Sequence, residues 1–274
     1  MSAAEDRRGM RLVGAAEGAL AIGRGAPVAL PSGPHLWRVA GAGAVEIYLE
    51  SPRGRRLIAL APERGHVRAL PEGAEGRLVA VGPEQARLEP VAPVGAELEG
   101  AAEDWVRAVA DGLAPPPPAE AAARPAPAGE APPERTWLRS APGKVVWLRA
   151  GALRYAHAAK NAPARALPLA GALAAAFEGV GEAIGTATLR AEGGLGPALA
   201  AFSAALPDLA AGLDAAREAR AAARLAARRP EAKGAGAAAA RALAAALDVE
   251  PEGPLPAEDG FAEAPGLLRA AGLR

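Results

Sequence analysis

Along the first third of the chain, apolar positions come in short runs with a period of two. Val45, Ile47 and Leu49 alternate with Glu46, Tyr48 and Glu50, the spacing of a half-buried strand. Comparable runs at 35–39, 44–50, 56–60, 77–81 and 86–91 carry β-branched or aromatic members. Turn-forming clusters separate them at about ten-residue spacing: Ser51-Pro52-Arg53-Gly54, then 62–65, 71–76 and Gly82-Pro83. That rhythm predicts an antiparallel sandwich, roll or barrel, with a hairpin turn at 51–54.

The period then changes. In 100–113, Trp105, Val106, Val109 and Leu113 make one apolar stripe at helical spacing, with Glu103 and Asp104 predicted in the first turn, where the helix dipole favours negative charge. Pro115 to Pro118, followed by Pro125, Pro127, Pro132 and Pro133, predict an extended spacer with neither helix nor sheet ladder. Strands are expected next at 144–149 and 153–155, an apolar stretch at 167–177 and a strand at 184–189. Leu195, Leu199, Phe202, Leu206, Leu209 and Leu213 then follow a 4-3-4-3-4 spacing, the seam of a heptad helix. Pro207 is expected to kink or restart that helix, with Asp208 near the new first turn. Beyond Leu213 the seam gives way to Ala and Arg, and Arg217, Arg220, Arg224, Arg228 and Arg229 read as a solvated helix end. A further helix is expected at 237–247, with Leu243 and Leu247 on one face, and then a loop-rich tail up to 265–273.

The fold class is therefore α+β, with an antiparallel β-roll of jelly-roll type followed by a mainly helical half. Four regions are predicted: a β-roll with a closing helix at 1–113, a Pro/Ala-rich linker at 114–134, a small β-containing segment at 135–192 and a helical connector at 193–274.

Composition qualifies this picture. The chain of 274 residues is 51% hydrophobic, yet 78 of those residues are alanine. About 62 are large enough to fill a core, which is few for two separately packed domains. The 31 basic and 31 acidic residues cancel, which argues against a dedicated nucleic-acid binder. With no cysteine, disulfides, thiol catalysis and cysteine-ligated metals are excluded. The N-terminal residues lack the apolar core of a signal peptide. The longest uncharged stretch, 193–207, has 15 residues, short of the ~20 that span a bilayer. A soluble, cytoplasmic bacterial protein is expected.

Motifs for chemistry are weak. Gly143-Lys144 lacks the spacing of a phosphate-binding P-loop, and Gly41-Ala42-Gly43 precedes a strand, not a helix. His35, His66 and His157 are far apart, with no metal-ligand spacing. No nucleophile elbow exists for a Ser-His-Asp triad. The pairs Glu103-Asp104 and Glu258-Asp259 read as a helix turn and a solvated loop. No catalytic residue, metal site or cofactor is predicted, and an enzyme is the least favoured class.

One resemblance covers 30–274. Leu36-Trp37-Arg38-Val39, Ala44 to Leu49, Gly54-Arg55-Arg56-Leu57, Gly65-His66 and Gly76 to Gly82 resemble the amino-terminal region of one transporter family. In order there follow Glu103 to Val106, Gly143 to Arg149, Leu167-Pro168-Leu169, Leu199 to Phe202 and Ala264 to Leu273. The family is the ATP-binding/permease subunit of ABC exporters for bacteriocin-type peptides with nitrile-hydratase-like leaders. The resemblance implies a cyclic-nucleotide-binding-like β-roll and a connector toward the membrane. The family's spanning helices and ATPase domain would lie beyond Arg274, so a split or truncated subunit is expected.

The function so implied is a non-catalytic accessory or regulatory region that acts by docking at the inner face of the cell membrane. Its partners would be transporter subunits or the leader peptide, and any membrane association would be peripheral. Trp37, Tyr48, Trp105 and Trp147 are candidate anchors of the core or of an interface. The alternative is a free-standing sensor of a cyclic-nucleotide-like ligand. For that role Glu72, Glu75 and Arg77 are the ligand candidates, although they lack the Gly-Glu and Arg-Ala spacing of a phosphate-binding cassette.

Overall fold

A computed structural model describes residues 18–23, 25–115, 124–125, 137–162 and 165–232, with backbone alone at 124–125 and 225–232. The chain is α+β, with antiparallel sheets as its main body. Eight strands come first: β1 (Leu20–Ala21), β2 (Val28–Ala29), β3 (Leu36–Ala40), β4 (Val45–Ser51), β5 (Gly54–Ala61), β6 (His66–Arg68), β7 (Arg77–Val81) and β8 (Arg87–Val91). They form two four-stranded sheets, ordered β1-β8-β3-β6 and β2-β7-β4-β5. All five predicted strands are present within a residue or two of their expected bounds. The additional ones, β1, β2 and β6, are two or three residues long, too short to show a period.

The β4–β5 pairing explains where alternation breaks. Register shifts between Ile47 and Tyr48, so that Ile47 faces Ala59 and Tyr48 faces Leu57. The extra residue, Ile58, is a bulge. It lets Ile58 and Ala59 both turn inward while Leu57 and Leu60 stay exposed.

Helix α1 (Ala96–Leu113) follows. Ala101, Ala102, Trp105, Val106, Val109, Ala110 and Leu113 are buried. At ~100° per residue they cover about half the helix circumference. One part of this broad face meets β5, where Gly112 rides so close that a Cβ would lie 2.4 Å from the Ile58 carbonyl oxygen. The first turn carries Glu97 and Glu99. Glu103 and Asp104 therefore sit one turn deeper than predicted, because the helix starts four residues earlier than the apolar stripe suggests.

Within the proline-rich segment, β9 (Arg124–Pro125) pairs in parallel with β10 (Leu138–Arg139). The expectation of no sheet ladder at 114–134 is corrected there: β9 is an edge strand, a place where proline is tolerated. The rest of the third sheet is β11 (Val146–Tyr155), β12 (Ala166–Leu169) and β13 (Ala174–Ile184), in the order β12-β11-β13-β10-β9. The two strands predicted at 144–149 and 153–155 are one strand with a register shift between Ala150 and Ala152. The strand expected at 184–189 is instead the end of β13 followed by α2 (Thr186–Ala191). Its apolar residues are too few to fix a period, and Gly185 supplies the N-cap.

Helix α3 (Leu195–Ala232) completes the description. All six seam residues from Leu195 to Leu213 are buried. Phe202 meets Tyr155 edge-on at 6.2 Å. Pro207 neither ends nor restarts the helix, since the flanking seam residues Leu206 and Leu209 are both held in the core. Packing here outweighs the propensity penalty of an interior proline. The helix and tail expected at 237–247 and 265–273 lie outside the described residues.

Most of the buried apolar residues from Leu20 to Leu213 form one contiguous cluster, with Ala29 and Val79 in a small second one. The described residues up to Asp214 belong to one compact unit and those from Ala215 on to a second. The core is thus shared across the proline-rich segment, whereas the sequence suggested separate regions on either side of it. In the second unit, α3 side chains from Arg217 to Arg224 are exposed.

Two glycine substitutions separate close approach from open space. A Cβ at Gly212 would lie 1.6 Å from the His157 carbonyl oxygen, whereas nothing lies within 4 Å of one at Gly100. Gly212→Ala is expected to destabilise the fold by roughly 1–3 kcal/mol or more. Gly100→Ala, on an open helix face, is expected to stabilise by up to about 1 kcal/mol. Urea denaturation followed by circular dichroism measures both.

Candidate functional site

A groove of about 960 Å³ lies beside the first sheet. The alternation of β3 and β8 builds one wall. Arg38 stands opposite Glu89, and Ala40 opposite Arg87, so their side chains share the face turned away from Trp37 and Val39. Across β3, Arg38 also faces His66 of the edge strand β6. The N-terminal half of α1 supplies Glu97, Gly100 and Asp104, and the turn before β6 supplies Glu63 and Arg64. Arg64 adopts the left-handed conformation, with φ at 64°. Its amide donates to the Val39 carbonyl at 2.9 Å, which holds that turn against β3.

The groove is polar, and most of its charges are paired. Arg38 donates to Glu89 at 3.0 Å and Arg87 to its other oxygen at 2.8 Å. These two hydrogen bonds, that from Arg38 foremost, hold the Glu89 carboxyl below the usual carboxylate range. His66 Nδ1 lies 3.2 Å from Asp104 Oδ2, and Arg107 lies 3.8 Å from Asp104 while also engaging Glu103. Such a surface can grip a partner carrying both signs of charge. It presents no nucleophile beside the His66–Asp104 pair.

The ligand candidates from the sequence do not meet in one cavity. Glu72 is exposed. Glu75 lines a crevice of about 260 Å³ with Lys160, Asn161 and Asp208. Arg77 lines a different depression, with Arg55 and Glu50, and donates to Glu50 at 2.9 Å. The guanidinium that a cyclic phosphate would need is already engaged by a carboxylate.

The aromatic candidates divide. Trp37, Trp105 and Trp147 are fully buried, so they are core residues with no ring surface to offer a partner. Tyr48 is half-buried over Ala29 and Val79. It donates to Glu46 at 2.7 Å, and Arg55 lies 4.4 Å above its ring. The hydrogen bond to Glu46, and then burial, raise its pKa.

Sequence reasoning missed the polar thread on the opposite side of α1. Trp147 Nε1 donates to Thr186 Oγ1 at 3.1 Å, and that hydroxyl donates to Glu103 at 2.8 Å. Arg190 of α2 adds a pair with Glu99. Arg56 of β5 likewise donates to the Ala210 carbonyl at 2.8 Å and pairs with Asp214 on α3. Residues so far apart in sequence leave no local signal. Glu103-Asp104, read there as helix-turn acids, are in fact split between two tasks: one supports Thr186, and the other faces His66. Among the described residues no three His, Asp or Glu side chains are placed to hold a metal ion. His35 packs against Trp37 at 6.2 Å.

No family model, curated protein or solved structure matches this chain.

Two outcomes are expected from this geometry. Replacing Arg38 and Arg87 by Gln moves the Glu89 carboxyl up toward the ordinary glutamate range. Carboxyl-carbon NMR titration reads it, and an unmoved Glu89 refutes the cause given. Because the folded-state value is depressed, the stabilisation from this carboxylate is present above its unfolded pKa and is lost as pH falls through the folded one. Thr186→Val leaves a buried indole N–H without an acceptor and is expected to cost about 1–3 kcal/mol in urea denaturation.

Proposed function

We propose that this chain is a non-catalytic accessory region of a peptide-exporting ABC transporter and works by docking. The observation that carries the reading is the strand order of the first two sheets. Eight antiparallel strands ordered β1-β8-β3-β6 and β2-β7-β4-β5, with α1 following the last strand, fit a double-sheet jelly roll closed by a helix. That is the roll implied by the family resemblance at 36–82 and 103–106. The β11–β13 sheet falls where the resemblance has its second β segment, and α3 where it has its connecting helix.

The heptad seam of α3 is consumed by the chain's own core, so it is not the surface left for a partner. The charged groove between β3, β6, β8 and α1 is the surface that fits the role. Its paired but accessible charges suit recognition of a partner with both signs of charge, such as a transporter subunit or its peptide cargo.

The competing reading, a cyclic-nucleotide sensor at Glu72, Glu75 and Arg77, is disfavoured by the separation of those residues and by the Arg77–Glu50 bond. Co-expression with the membrane-embedded ATP-binding/permease subunit tests the main reading. Co-purification that weakens at least about tenfold in Kd when Arg38 and Arg64 become Glu is expected. A monomer indifferent to the subunit and to leader peptides overturns it. Calorimetry with cyclic AMP at ~1 mM is expected to show no heat, and heat abolished by Arg77→Gln would favour the sensor instead.

A further inference from the structure

A crevice of about 260 Å³ is walled by three segments that the charged groove does not use. The turn at 73–75 brings Glu75, the loop after β11 brings Lys160 and Asn161, and α3 brings Asp208. The loop is fixed through its backbone. Ala158 N–H donates to the Tyr155 carbonyl at 3.2 Å, and Ala162 N–H to the Leu153 carbonyl at 2.7 Å. The His157 carbonyl sits tight against Gly212 of α3, and the Lys160 amide donates to Asp208 Oδ2 at 3.0 Å. Walls held in this way lower the ordering cost of binding.

Opposite charges stand on these walls without meeting. Glu75 and Lys160 are exposed and form no ion pair with each other or with any other described residue. In Arg38–Glu89–Arg87 and Arg77–Glu50, by contrast, the charges close on one another. Asp208 gives one oxygen to the Lys160 amide, and its other oxygen has no donor among the described residues. Between the charges the lining is short and apolar, with Ala158, Ala162, Ala204 and Pro207. A ligand that answers both signs carries an ammonium toward Glu75 and Asp208 and a carboxylate toward Lys160 and Asn161. A simple anion would meet two carboxylates. No three His, Asp or Glu side chains among the described residues are placed for a metal ion. Size narrows the choice further. Pockets for drug-sized ligands hold roughly 300–1,000 Å³, so this smaller crevice suits a molecule of fewer than about ten non-hydrogen atoms and excludes a nucleotide.

We propose that the crevice of Glu75, Lys160, Asn161 and Asp208 binds a free α-amino acid with a small apolar side chain, held as its zwitterion. The two charged ends reach opposite walls, and the side chain lies against the alanine and proline lining. Of the residues considered for a cyclic-nucleotide sensor, only Glu75 lines this crevice. The proposal does not rest on the transporter reading, because a chain that ignores every transporter subunit would still bind the amino acid. The test is calorimetry of the full chain with L-alanine and L-valine at up to ~10 mM. N-acetyl-L-valine, which lacks the ammonium, and L-valinamide, which lacks the carboxylate, are run beside them.

The expected result is a Kd of ~1 mM or tighter for at least one of the two amino acids, and binding at least about tenfold weaker for both blocked forms. Glu75→Gln and Lys160→Gln are each expected to weaken binding at least about tenfold, since each removes a charge-assisted contact. Glu72→Gln, at an exposed neighbour outside the crevice, is expected to bind as the wild type does. Three results overturn the proposal: no heat from either amino acid, a blocked form that binds as tightly or more tightly, or unchanged affinity in either crevice variant. Tighter binding of L-valinamide would assign the crevice to a simple amine. Far-UV circular dichroism checks the fold of each variant. If a crevice variant fails to fold, the wild-type chain still decides: L-valine is expected to shift the methyl signals of Ala162 and Ala204 in carbon-13 NMR spectra, and unmoved signals overturn the proposal.

Discussion

Everything from residue 18 to 214 leans on one helix. α1 is buried over about half its circumference, a face too broad for a single contact. On one side it closes the first eight strands, with Gly112 pressed on the Ile58 carbonyl. On another it receives α2 through Arg190–Glu99 and Thr186–Glu103, and Ala110 lies near Gly171 in the turn before β13. With about 62 large apolar residues in the whole sequence, the described residues on both sides of the proline-rich segment share one core. The shared wall has to be small at its surface, which is why alanine and glycine, and not leucine, occupy so much of α1.

The groove depends on the same helix. Asp104 points to His66 while Glu103, its neighbour in sequence, turns to Thr186. Adjacent helical residues are ~100° apart, so one acidic pair serves two layers at once. The zero net charge of the sequence acquires a spatial meaning here. Opposite charges are not spread evenly but are matched locally, as in Arg38–Glu89–Arg87 and Arg55–Glu50–Arg77.

The legible parts of the fold were those governed by local periodicity. The alternation of Val45, Ile47 and Leu49 fixes β4, and the 4-3-4-3-4 spacing finds the buried face of α3 residue by residue. Features decided by distant contacts were not legible. Nothing near Ile58 announces a bulge, and the sequence around Pro207 reads as a break until Leu206 and Leu209 are seen in the core. The stretch after Ile184 is ambiguous because six helical residues give less than two turns. For the candidate site the position is similar. Arg38 and Glu89 are 51 residues apart, and only the register of β3 with β8 brings them together, while Glu72, Glu75 and Arg77, close in sequence, face three different surroundings.

The continuous core also governs how this protein can be taken apart. The proline-rich stretch looks like the natural place to cut, and a fragment ending there would keep all eight strands of the first two sheets together with α1. It would also strip the cover from that helix, uncovering the side of Ala110 that meets the Gly171 turn and removing the acceptor of Arg56 on α3. The complementary piece would carry the leucines of α3 with nothing to lay them against. Each fragment would expose apolar surface that the other covers. The halves behave less like beads on a string than like the two parts of a split reporter, foldable chiefly in each other's company.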